Sequence, residues 1–139
     1  MKIEIPLPPI AEQQAVVFEA ATEAGIKQLQ ANLTAPKILG RPELEGSLDS
    51  RAHLLRDREG WEAPSPDVIG AYFRHYQEAF PEYGTDGKLA ALLGISSDRR
   101  IREYKQGRQK MPYGIWRRFL VLTGRVPQDI IPVLAFMES

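Results

Sequence analysis

The sequence predicts an all-α protein, with a C-terminal domain of four to five helices preceded by an amphipathic helix and a loop-rich linker. Apolar residues return at spacings of three and four in separate stretches between Ile10 and Leu122, whereas strand-like alternation is confined to Ile3 and Ile5. Proline and glycine punctuate those stretches as helices require, with Pro66 and Pro112 at starts and Gly94, Gly107 and Gly124 just past ends. The third observation is electrostatic. Formal charge sums to zero over 139 residues, yet 85–125 hold ten cations against three anions, a net of +7, while 1–84 carry a net of −5. Such asymmetry suits a polyanion-binding module joined to a part with another task, although a basic run can also be a solvated face. The organisation expected is an N-terminal helical segment over 1–33, a linker over 34–62 and a C-terminal domain over 63–139.

The N-terminus, MKIEIPLPPIAEQ, supplies at most a short strand before three prolines impose an extended turn. From Ile10 to about Leu33 the spacing predicts a helix, with Phe18, Ile26, Leu29 and Leu33 on one stripe, Val17, Ala21 and Ala24 beside it, and Gly25 interrupting it. A lone helix of this length needs a surface on which to bury that stripe. IPLPPIAEQQAVV, residues 5–17, resembles the segment in specificity subunits of type I restriction enzymes that leads into their long spacer helix. The resemblance implies an interaction role for Val17, Phe18, Ala21, Ala24 and Leu29, and so a protein partner for the N-terminal helix. A proline stop followed by an ordinary amphipathic helix is the other reading of the same residues.

Pro36, Gly40, Pro42, Gly46, Gly60, Pro64 and Pro66 mark 34–66 as loop, with two helical turns available around Leu54 and Leu55 and with Trp61 as an aromatic that docks on the following domain. Ser65 caps the next helix, and Ile69, Phe73, Tyr76 and Phe80 form its buried face. Thr85 caps a second helix with Leu89, Leu92 and Leu93 inward, and Gly94 turns the chain. Ile95 plugs the core, and Ser96 or Ser97 caps a third helix in which Ile101 and Tyr104 face inward. Pro112 opens a fourth with Trp116, Phe119 and Leu120 as core, Trp116 lying between the first and third helices.

LAALLGISSDRRIREYKQGRQKMPYGIWRRFLVLTG resembles the phage-repressor (Cro/repressor) helix-turn-helix proteins, most closely those with an arginine-rich third helix and a later Pro-Tyr-x-x-Trp helix start. The resemblance implies double-stranded DNA as partner, with the third helix in the major groove. It also implies base contacts from Ser97, Asp98, Arg99, Arg100 and Glu103, and phosphate contacts from Lys88, Ser96, Arg102, Lys105, Arg108, Lys110 and Tyr113. Asp98 and Glu103 can instead pair with neighbouring arginines and hold their rotamers. The stretch from Gly94 to Gly107 is one residue longer than the commonest spacing in that family, which leaves the register of the groove-facing residues open by one position.

Catalysis is not expected. His53 and His75 lie in different segments, GTDGK lacks both the earlier glycine and the Ser or Thr of a phosphate loop, and no carboxylates pair in an apolar setting. Without cysteine there is no disulfide framework and no thiolate zinc site, and no metal or cofactor is expected. No apolar stretch approaches the roughly 20 residues that cross a bilayer, so the expected location is the cytoplasm, with no membrane partner. The functional reading is a small bacterial or phage transcriptional regulator. Its rival is a protein-interaction module that uses the same helices as scaffold. A homodimer is expected in the first case, held mainly by residues 126–137 through a helical seam that places Ile130 beside Leu134, with the stripe Val17, Phe18, Ala21, Ala24 and Leu29 as the alternative.

Overall fold

A computed structural model describes residues 9–42 and 50–137, and the expected strand at Ile3 and Ile5 lies outside them. The protein is all-α: five α-helices and three short 3-10 turns, with no strand among the described residues. Contacts divide the chain into two units, Met1–Lys37 with Ile131–Ser139, and Ile38–Ile130.

In the first unit, helix α1 (Ile10–Asn32) runs through Gly25 without a break, and none of its residues is buried. The tail, by contrast, contains no helix over 126–137. The expected Ile130/Leu134 seam is therefore overturned. Pro127 and Pro132 account for it: each lacks an amide donor and its ring collides with the carbonyl four residues earlier. What the tail does instead is lay Phe136 edge-on against Phe18, with ring centroids 4.9 Å apart. Both rings stay largely exposed, as do Leu33, Ile131 and Leu134.

The second unit is built on α2 (Pro66–Ala79), α3 (Asp86–Leu93), α4 (Asp98–Gln106) and α5 (Tyr113–Leu122). Ser65 Oγ accepts the Val68 amide at 3.3 Å and Thr85 Oγ1 accepts the Lys88 amide at 3.3 Å, so both expected caps form. Serine capping of α4 does not. Ser97 occupies the cap position in extended backbone with no side-chain bond, and the first turn closes on its carbonyl, which accepts Arg100 N–H at 3.3 Å. The core collects Ile69, Tyr72 and Phe73 from α2, Leu89 and Leu93 from α3, Ile95, Ile101 and Tyr104 from the turn and α4, and Trp116, Phe119 and Leu120 from α5. Fully burying one such large apolar side chain is worth about 1.5–3 kcal/mol, so this cluster supplies the main driving force for the unit.

Trp116 is fully buried, stacked on Phe119 at 5.2 Å and tilted against Tyr72 and Phe73 of α2 at 5.7 and 6.0 Å. Another ring neighbour is His53, at 5.8 Å. The stretch 52–61 forms two 3-10 turns, Ala52–Leu54 and Asp57–Glu59, and lies on the core. His53 is buried, and its Nδ1 accepts the Trp116 indole N–H at 3.1 Å. Its carbonyl accepts the Trp61 indole N–H, also at 3.1 Å, and Trp61 packs edge-on against Tyr113 at 5.2 Å. Arg117 completes the attachment, donating to the Leu54 and Pro127 carbonyls at 3.3 Å each. Residues marked by their punctuation as loop are irregular in backbone and yet close one side of the core.

Candidate nucleic-acid interface

The geometry of α4 begins with the turn that delivers it. Gly94, at φ +73°, follows α3 in the left-handed region, where a Cβ would be strained. Two bonds close this end, Gly94 N–H to the Ala91 carbonyl at 3.3 Å and Ile95 N–H to the Ala90 carbonyl at 2.8 Å. Ile95 is then driven into the core, and Ser96 and Ser97 bridge to α4 on the surface. Gly107 ends α4 in the same way at φ +75°, with Arg108 N–H on the Glu103 carbonyl at 2.9 Å. A Cβ there would also lie 2.9 Å from the Pro66 ring, so glycine is required for space as well as for conformation.

Asp86 fixes α4 against its neighbours. Its Oδ1 accepts Lys105 Nζ at 2.9 Å and Gln77 Nε2 at 3.3 Å, which ties α2, α3 and α4 at one atom. Arg118 of α5 donates to the Leu92 carbonyl at 3.1 Å. With Ile101 and Tyr104 buried, the helical repeat leaves Arg99, Arg102, Glu103 and Gln106 on the opposite side of α4. These four, with Arg108 and Gln109, line an open concavity of about 390 Å³.

The charges on this face are arranged in pairs. Arg99 Nε meets Glu103 Oε1 at 3.1 Å, Arg100 lies 3.8 Å from the other Glu103 oxygen, and Arg102 meets Asp98 at 3.0 Å. The Arg102 hydrogen bond is the main reason that the Asp98 carboxyl is held below its ordinary range, with the Arg102 charge adding to it. Both carboxylates thus hold arginines in rotamer.

Among the residues expected to contact bases, Ser97, Asp98 and Arg99 are exposed, Arg100 is half-buried, and Glu103 is 18% exposed at its side chain. Among those expected to contact phosphate, Lys88, Ser96, Arg102, Arg108 and Lys110 are exposed, whereas Lys105 and Tyr113 are half-buried against Asp86 and Trp61. The concavity brings together Arg99, Arg102, Glu103 and Arg108, and leaves out Lys88, Ser96, Ser97, Asp98, Arg100, Lys105, Lys110 and Tyr113. Gln106 and Gln109 line it without having been singled out. Gln106 stands two turns after Arg99, a spacing that could have found it, whereas Gln109 reaches the face only because Gly107 reverses the chain. Arg117 and Arg125 swell the basic count but serve the fold: Arg117 is buried, and Arg125 lies over the Tyr72 ring at 4.4 Å.

Comparison with protein-family models, with curated proteins and with solved structures finds no match. Among the described residues no helix is long and apolar enough to cross a membrane.

Proposed function

We propose that α3 and α4 form a helix-turn-helix that binds double-stranded DNA sequence-specifically, with α4 in the major groove, and that the protein is a small bacterial or phage transcriptional regulator. The observation that carries this reading is the outer face of α4, where Arg99, Arg102 and Arg108 converge on one open concavity while Ile101 and Tyr104 anchor the helix from behind. Arginine forks match guanine O6 and N7 in the major groove and match phosphate oxygens beside it. Supporting this are the glycine-closed corner at Gly94 and the bond from Lys105 to Asp86, which fix α4 against α3.

Gel-shift titrations with the protein's own upstream region and with random DNA test the proposal. Arg99→Ala or Arg100→Ala should reduce preference for the cognate site by about 1–3 kcal/mol, whereas Lys110→Ala should weaken both DNAs alike. Equal losses on both DNAs for all three variants would remove α4 from base reading.

A second reading is supported by the first unit. With Ile131, Leu134 and Leu33 each more than 80% exposed, α1 and the tail present apolar surface suited to a protein partner or a second copy. Ionic strength separates the two readings. DNA affinity falls steeply with salt through counterion release, and an apolar contact barely responds.

A further inference from the structure

We propose that Arg99 and Glu103 act as one unit that reads a single G·C base pair, with Arg99 on guanine and Glu103 on the N4 amino group of cytosine. The inference rests on the DNA-binding reading above and specifies what the outer face of α4 recognises. A pocket made for phosphate alone would contain only donors. This concavity holds a carboxylate among its guanidiniums, and that carboxylate is 18% exposed at its side chain. A negative charge facing the DNA backbone opposes binding; Arg99 and Arg100 offset part of it, and the Glu103 oxygen that Arg99 does not engage is available to a further donor. In the major groove, the cytosine N4 amino group is such a donor.

The atoms used by the ion pair point the same way. Glu103 Oε1 engages Arg99 through Nε at 3.1 Å, and the Arg99 side chain as a whole is 82% exposed. The approach is therefore at the stem side of the guanidinium, and the exposure of the side chain leaves its two terminal amino groups accessible. Those two groups form the fork that fits guanine O6 and N7. Glu103 Oε2 lies 3.8 Å from Arg100 Nη1, beyond hydrogen-bond reach, and keeps acceptor capacity. Guanine presents two acceptors and its paired cytosine one donor. Arg99 and Glu103, one turn apart on the same face, present the matching two donors and one acceptor.

The test is selection of binding sites from a randomised duplex library by the full-length protein, followed by titration of the best site and of a variant with A·T substituted at each position. The expected result is one position at which G·C is preferred by roughly ten-fold or more. Glu103→Gln should tighten binding to random DNA, because a negative charge is gone, while lowering the preference at that position several-fold. Arg99→Lys keeps the charge but loses the planar fork, and should abolish the preference at the same position. If wild-type protein selects no sequence and its affinity ignores salt, the DNA-binding reading itself fails. If it selects a site but Glu103→Gln and Arg99→Lys leave every G·C preference intact, or act at different positions, the paired readout is overturned. A Glu103→Gln variant that weakens random and selected DNA equally, with an unchanged melting temperature, also overturns it.

Discussion

His53→Ala tests how the second unit is held shut. The substitution removes the acceptor of the Trp116 indole N–H, a bond of 3.1 Å between two buried side chains. Leaving a buried donor without a partner costs about 1–3 kcal/mol. The imidazole also packs edge-on to Tyr72 and Trp116, both 5.8 Å away, and deleting it opens a gap beside two large rings. Lost packing of that kind adds roughly 1–2 kcal/mol, by comparison with the 2–5 kcal/mol of larger apolar truncations. The expected loss is therefore about 2–5 kcal/mol, a large fraction of the 5–15 kcal/mol typical of a small domain. With a mid-range urea slope of about 2 kcal/mol/M, the unfolding midpoint should fall by about 1–2.5 M. Circular dichroism on wild type, His53→Ala, Trp116→Phe and the double variant completes a cycle, in which the two losses should be non-additive by at least about 0.5 kcal/mol. A midpoint unchanged by His53→Ala, or strict additivity, would show that the stretch 52–61 is not part of the closed core.

Three further outcomes are expected. Trp116→Ala should cost about 3–5 kcal/mol, because the side chain is fully buried among Tyr72, Phe73 and Phe119; loss of the near-ultraviolet aromatic signal at a lower temperature than in wild type measures it. Asp129 is held below its ordinary carboxyl value of 3.8, chiefly by the hydrogen bond from Arg56 at 2.7 Å, so its contribution is complete above 3.8 and is lost as pH falls through the lower folded value. Melting temperatures of wild type and Asp129→Asn should accordingly differ at neutral pH and converge in acid; a constant gap would refute the pairing. If a second copy covers the apolar surface of α1 and the tail, Phe18→Asp should shift the full chain to monomer in light scattering at tens of micromolar, and a monomeric wild type would refute that surface.

Local rules made much of the second unit legible in advance. Ser65 and Thr85 bond the amides their positions promise, Gly94 and Gly107 adopt the left-handed turns that end helices, and Ile101 with Tyr104 turns α4 to the side its spacing requires. All of these are decided within five residues of chain. The features that escaped depend on distant partners. A single histidine among prolines and glycines has no periodicity, so nothing local marks His53 as the acceptor for Trp116, 63 residues away. Lys105 reads as a solvent-facing cation until Asp86, 19 residues earlier, is placed beside it. In the tail, the four-residue spacing of Ile130 and Leu134 suggested a seam, and Pro132 between them decides against it.

The separation of His53 from Trp116 also bears on the order of events in folding. The corner between α3 and α4 joins residues close in sequence, and such contacts form early because little chain entropy is lost in closing them. The strap over Trp116 closes a loop of 63 residues, and its buried bond rewards that closure only after α2 and α5 have met. Weakening it in His53→Ala is accordingly expected to speed unfolding more than to slow folding, and stopped-flow rates of unfolding and folding check this. The core has a latch, carried ahead of the helices that it secures and engaged after them.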